Sequence, residues 1–147
     1  MAEAPRSGDA PEGDGPGLAA GEPSAFMAAA GLIVSSVDAD RVEGWIDLGP
    51  EHHQPGGIVH GGVYTSAVET AASIGAFTAA APAGMVAVGV HNSTDFLRQM
   101  TAGRVSVVAR PIQQGRTQQL WEVRITDPHD RLVAIGQVRL ANITPRS

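Results

Sequence analysis

Between residues 52 and 94 the only side chain with a formal charge is Glu69, set among Ala67, Val68, Ala71, Ala72 and Ile74. A carboxylate withdrawn from water has a raised pKa and costs several kcal/mol unless it is paired or hydrogen-bonded, so an acid here needs a reason. One reason is chemical, as nucleophile or general base. The other is structural: an exposed stripe of the helix, or pairing with a distant Arg. Ser66 and Ser73, three residues before and four after Glu69, share its face if the segment is helical. Ser73 could then position a water or a substrate group, although a mid-helix Ser commonly bonds back to its own helix.

Directly before this segment stands His60-Gly61-Gly62, after the Gly-rich stretch Gln54-Pro55-Gly56-Gly57. Free N–H groups at a helix start, aided by the helix dipole, can polarise a carbonyl or bind an anion. Gly pairs more often simply mark turns, and a lone His more often caps or packs than catalyses. Spacing ties the two features together. Eight residues of helix separate Gly61 from Glu69, roughly 12 Å, too far for both to touch one carbonyl group. Two antiparallel copies of the helix related by a two-fold axis would bring Gly61 of one chain to Glu69 of the other, and activity would then require the oligomer.

The remaining chemistry is sparse. His52 and His53 are adjacent, and His91 and His129 are isolated, so no metal-ligand spacing exists and no metal is expected. Without cysteine, thiolate catalysis and disulfides are excluded and a cytoplasmic location is permitted. No phosphate loop, dinucleotide fingerprint or Gly-x-Ser-x-Gly elbow occurs. All ten cationic residues are Arg, and the net charge of −5 gives no electrostatic basis for nucleic-acid binding. Residues 70–90 carry no charge but are mostly small and broken by Pro82 and Gly84, which argues against a membrane span.

These residues need elements to hold them. Residues 1–25 contain four Pro, five Gly and five acids against Arg6, the composition of a disordered tail. A short helix follows from Ser24 to Gly31, then strands over residues 32–37 and 41–48. The Ala-rich stretch 61–80 reads as a long buried helix. Four strands are predicted at 86–98, 104–112, 117–126 and 131–142; in the last three Val105, Val107 and Ala109, then Trp121, Val123 and Ile125, then Leu132, Ala134, Val138 and Leu140 form apolar faces. A helix after two strands and before four predicts an α+β fold, an antiparallel sheet wrapped around one helix. Its open edges make a homo-oligomer the natural completion.

The run His60-Gly-Gly-Val-Tyr-Thr-Ser-Ala-Val-Glu69, with Val88-Gly-Val-His-Asn-Ser-Thr-Asp-Phe-Leu-Arg98 and Gly115-Arg-Thr117, resembles the hotdog-fold acyl-CoA thioesterases of the phenylacetate-pathway type, which includes the Arthrobacter-type 4-hydroxybenzoyl-CoA thioesterase. The resemblance covers about residues 26–143 and implies a hotdog domain there, followed by a short tail at 144–147. It implies that Glu69 is nucleophile or general base, and that the Gly61 amide and Gln54 side chain of a neighbouring subunit polarise the thioester carbonyl. His60 would support that loop. Ser73 stands where the aryl-CoA type has a Thr, and Arg98, Arg116 and Thr117 would contact the CoA phosphates and pantetheine; at 116 the aryl-CoA type carries Ser and other members Arg. It further implies an acyl-CoA substrate with no separate cofactor, in a dimer of hotdogs that assembles to a tetramer. Two alternatives share the fold: a non-catalytic acyl-CoA-binding or sensing protein, and a dehydratase acting on hydroxyacyl thioesters. Tyr64 and Phe77 are candidates for an acyl pocket or simply for the core.

Overall fold

The structure, a computed structural model, describes residues 22–147. Helix α1 (Ala25–Ala30) leads into the hairpin β1 (Ile33–Asp38) and β2 (Arg41–Leu48). After a loop comes helix α2 (Gly61–Ala80), then β3 (Val86–Phe96), β4 (Gly103–Gln114), β5 (Gln118–Thr126) and β6 (Leu132–Ile143). The sheet is antiparallel with strand order β1-β2-β4-β5-β6-β3. Because β2 lies next to one edge and β3 forms the other, α2 must cross the sheet, and the sheet curves around it. This is the antiparallel sheet around one helix expected from the order of elements, and it agrees with the hotdog fold that the family resemblance implied.

The element ends agree with the sequence to within about two residues, with one overlap at the start. The tail expected over 1–25 falls outside the described residues up to 21; its last positions overlap the short helix expected from Ser24, where Ser24 is the N-cap and Ala25 the first residue of α1. The Ser24 hydroxyl accepts from the Met27 N–H at 3.3 Å and Gly31, at φ 85°, closes the other end, so local capping draws the ordered chain back past the expected end of the tail. Residues 144–147 have no regular structure.

The core lies between α2 and the concave face of the sheet. Val42 and Ile46, Val105, Val107 and Ala109, Trp121, Val123 and Ile125, and Val138 and Leu140 are buried there, as period-two patterning requires. Small residues let the helix lie close: a Cβ at Gly75 would overlap the Trp121 indole, and one at Gly136 would meet Val68 and Thr94. Gln119, buried beside them, has every polar atom occupied. Its Nε2 donates to the Ala76 carbonyl (3.0 Å) and to Asn142 Oδ1 (2.9 Å), and its Oε1 accepts from Trp121 Nε1 (2.8 Å). Asn142 passes the network on, donating from Nδ2 to the carbonyls of Gly115 and Arg116, which ties the β4–β5 turn to the end of α2.

Helix α2 is not enclosed all round as its composition suggests. Ten of its residues are buried, but Thr65, Ser66, Glu69, Thr70 and Ser73 form a half-buried polar face turned away from the concave core and bordered by β3. The edge strand β3 likewise exposes Val88, Val90 and Phe96. An eleven-residue edge strand that exposes three large apolar side chains is an incomplete surface, although Asp95 adds one charge near its end.

The close helix–sheet contact sets the sign of one substitution. Ala is a better helix former than Gly by about 1 kcal/mol, yet Gly75→Ala should lower unfolding stability by about 1–3 kcal/mol through overpacking against Trp121. Urea denaturation measures it, and a gain in midpoint would show that the helix has room to spare.

Candidate active site

The loop before α2 is pinned from several sides. The His60 N–H donates to the His52 carbonyl (2.8 Å), Gln54 N–H to the Ile58 carbonyl (2.8 Å) and Val59 N–H to the Met100 carbonyl (2.9 Å); His53 Nε2 meets the Thr101 carbonyl at 2.6 Å. His60 is the N-cap of α2, with Nδ1 accepting from the Gly62 N–H at 2.8 Å. That contact requires an unprotonated Nδ1 and so places the proton on Nε2. It leaves the Gly61 N–H, the first of a twenty-residue helix, without an acceptor among the described residues. Gln54 is oriented in the same way: its Oε1 accepts from the Gly56 N–H, so Nε2 keeps its donors free. Gln54, Gly61, Tyr64, Phe96 and Arg98 line one cleft of about 380 Å³.

Glu69 belongs to a different depression, lined by Phe26, Gly62, Thr65, Ser66, Thr70 and Asn92. Its Oε2 accepts from Asn92 Nδ2 at 3.0 Å, and the Ser73 hydroxyl stands 3.5 Å from Oε1, at the outer limit of a hydrogen bond. Asn92 is itself held: its Oδ1 accepts from Thr94 Oγ1 at 2.7 Å. The carboxylate rests on the backbone of β3 at Gly89, where a Cβ would overlap Oε1. Ser66 bonds back to the Gly62 carbonyl at 2.6 Å and takes no part.

Each residue singled out by the sequence therefore has a place, but one chain does not gather them. Gln54, His60, Gly61 and Arg98 stand at the start of α2; Glu69 and Ser73 lie along its open face. Arg116 and Thr117 are exposed in the β4–β5 turn. The Thr117 carbonyl accepts from Asn142 at one end of β6, while the Arg98 N–H donates to Val133 near the other. Nine residues of strand, about 30 Å, lie between them, so these groups reach one nucleotide only if they come from different subunits. The dry surroundings expected for Glu69 are only partly met within the single chain: β3 packs against its carboxylate at Gly89 and Asn92, and Phe26 of α1 lines the same depression, yet the side chain stays half-buried. Phe77 lines neither depression.

Asn92, Thr94 and Gly89 escaped the sequence reading of the site. A Gly inside a strand marks a bulge or a close approach, and β3 does shift register between Gly89 and His91; that was the available signal. Among the described residues no three His, Cys, Asp or Glu side chains converge as metal ligands, and no helix is long and apolar enough to cross a membrane.

A family model described as the Thioesterase superfamily matches residues 56–134, which carry the whole of α2 and the last residues of the loop before it. The chain belongs to this family. A protein named putative esterase Rv1847 of Mycobacterium tuberculosis is 44% identical over 124 residues, covering 82% of this chain and 88% of that protein; its solved structure superposes with a TM-score of 0.80 over 83% of this chain and 98% of that one. The 1,4-dihydroxy-2-naphthoyl-CoA hydrolase of Listeria monocytogenes is 33% identical over 76% of this chain and 89% of its own. The PaaI protein of the Escherichia coli phenylacetic acid degradation operon, at 22% identity and a TM-score of 0.73 over 82% of this chain and 85% of that one, shares the fold. The expected hotdog thioesterase family is thus confirmed, and with it the assignment to the thioester hydrolases.

Tyr64 gives this thioesterase-family chain an internal reporter. It is the only Tyr in the sequence, is buried, and its hydroxyl has no partner among the described residues. Burial pushes the phenol up to about 12. Below pH 10 it is neutral folded or unfolded; between about 10 and 12 only the unfolded chain ionises it, so stability falls as pH rises through that window. Phenolate absorbance should therefore appear well above pH 10 in the folded protein and shift down to about 10 in denaturant. A folded-state midpoint at 10 would mean that the phenol is solvated.

Proposed function

We propose that the protein hydrolyses acyl-CoA thioesters to the free acid and CoA in a site shared by two subunits, with Glu69 as nucleophile or general base. One observation carries this reading. The acid and the free donors occupy separate half-sites on α2, each held by its own hydrogen bonds and neither complete alone. In the reaction, Gly61 N–H and Gln54 Nε2 of one subunit take up the charge developing on the thioester oxygen. Glu69 of the other attacks the carbonyl carbon, or removes a proton from the attacking water, and the CoA thiolate leaves. Asn92, at Oε2, and Ser73, at Oε1, orient the carboxylate toward the open side of α2; in this reading Ser73 also holds the water. Arg98 and, from another subunit, Arg116 and Thr117 serve the phosphates and pantetheine arm.

Pairing of two β3 edges offers a way to assemble such a site, since it would extend the sheet and set two α2 helices side by side; a tetramer would follow by association of two dimers. The substrate class fits the cytoplasm. The named CoA-thioester activity of the Listeria relative supports the same substrate class over a non-catalytic binding role. A dehydratase would need a paired His and acid at the reacting carbon, and His60 is committed to capping Gly62.

Glu69→Gln should keep acyl-CoA affinity nearly unchanged while kcat falls by about 10²- to 10⁴-fold; thiol release and calorimetric titration measure the two, and undiminished turnover would remove Glu69 from the mechanism. The shared site has its own test. Glu69→Gln and Gln54→Ala, each nearly inactive alone, should regain activity when unfolded together and refolded, because a mixed dimer contains one site with both native groups. No recovery despite formation of mixed dimers would place both groups in one chain's site.

A further inference from the structure

Helix α1 has six residues and buries none of them. A helix of that length is far too short to persist on propensity alone, and its two caps satisfy single backbone groups without supplying burial. Between α1, β1 and α2 runs a cleft of about 370 Å³, walled by Phe26, Met27, Ile33, Val37, Ala67 and Ile74 among others. Among the described residues no ionisable side chain lines it. Two of its hydroxyls are already engaged, Ser66 with the Gly62 carbonyl and Ser35 with the Glu43 carbonyl. Its volume is in the range of small-molecule sites. Phe26, Ser66 and Thr70 line both this cleft and the depression that holds Glu69, so one continuous wall leads from the carboxylate into the apolar space. Phe26 stands at the junction, 70% exposed.

We propose that this cleft is the acyl subsite, that it takes an uncharged, apolar acyl chain or ring whose thioester carbon lies at Glu69, and that Phe26 closes over the bound group so that α1 completes its packing on the substrate. The inference rests on the thioesterase reading of Glu69 and adds the class of acyl group. Continuity with the acid selects a substrate as the occupant. The absence of any charged group in the wall selects an apolar one, since a carboxylated acyl group would be desolvated there without a partner. The helix left without burial supplies the second, independent observation: its missing contacts are those that a ligand in the cleft would provide.

The experiment uses the full-length protein and straight-chain acyl-CoAs from acetyl to decanoyl, with succinyl- and glutaryl-CoA as carboxylated counterparts, assayed by thiol release. The value of kcat/KM should rise by about fourfold per added methylene until the cleft is full, carried mainly by KM, and the carboxylated substrates should fall at least tenfold below uncharged ones of equal length. Phe26→Ala, at an exposed position in an Ala-rich helix, should fold normally and reduce the octanoyl-to-butyryl ratio of kcat/KM at least tenfold. Amide exchange read on Glu69→Gln should show Ala25–Ala30 protected by octanoyl-CoA and not by acetyl-CoA. If Glu69-dependent turnover is present but the chain-length ratio ignores Phe26, or carboxylated acyl groups are preferred, the subsite is wrong and the thioesterase reading stands. Amides of α1 fully protected without ligand would also overturn it, since a second subunit or the chain's own N-terminal residues would then fill the cleft. No turnover of any acyl-CoA would instead strike at the thioesterase reading itself.

Discussion

At Gly75 the backbone of α2 lies so close to the Trp121 indole that there is no room for one methyl group. That contact, with Gly136 against Val68 and the satisfied amide of Gln119 on the Ala76 carbonyl, seats the helix on the sheet in a single rotation. Rotation is what matters for chemistry. With the Ala-rich side turned inward, Thr65, Ser66, Glu69, Thr70 and Ser73 must face the other way, and the acid arrives on an open surface beside β3 rather than in the core.

From that rotation the rest of the arrangement follows by distance. The N-terminus of α2, with its free Gly61 N–H and the oriented Gln54 amide, and the carboxylate of Glu69 lie on one rigid rod about two turns apart. A rod cannot fold back on itself, so the donors and the acid of one chain cannot serve one carbonyl. Each half-site is nonetheless fixed with care: His60 caps Gly62 and leaves Gly61 free, while Thr94 holds Asn92 and Asn92 holds Glu69. Such orientation through intermediate residues is what preorganised acyl-transfer sites require.

The regular elements were legible because their patterns are strong and local. Alternation in β4, β5 and β6 placed Val105, Trp121 and Val138 on the concave face, and Ser24 and Gly31 bracketed α1. Of the residues proposed for the site, Glu69, Gly61 and His60 stood out as an acid isolated in an uncharged stretch and a Gly-rich helix start, and Gln54 through the family resemblance. Asn92 and Thr94 did not, since an Asn and a Thr in an edge strand look like ordinary solvent-facing residues until the strand's position against α2 is known. The half-exposed state of Glu69 was equally hidden, because composition reports how apolar a helix is and not which of its faces finds a neighbour.

The order of elements, the antiparallel sheet around one helix, and the isolation of a single acid on a helix with a Gly-rich start were thus determined by the chain's own residue pattern, which acts through contacts a few positions apart. Tertiary structure alone decided which strand would flank Glu69, that Gly89 would leave space for its carboxylate, and that Arg98 and Arg116 would stand at opposite ends of β6. Those depend on pairings between residues far apart in sequence, fixed only when β3, the strand after α2, closes against β6, the last strand of the sheet.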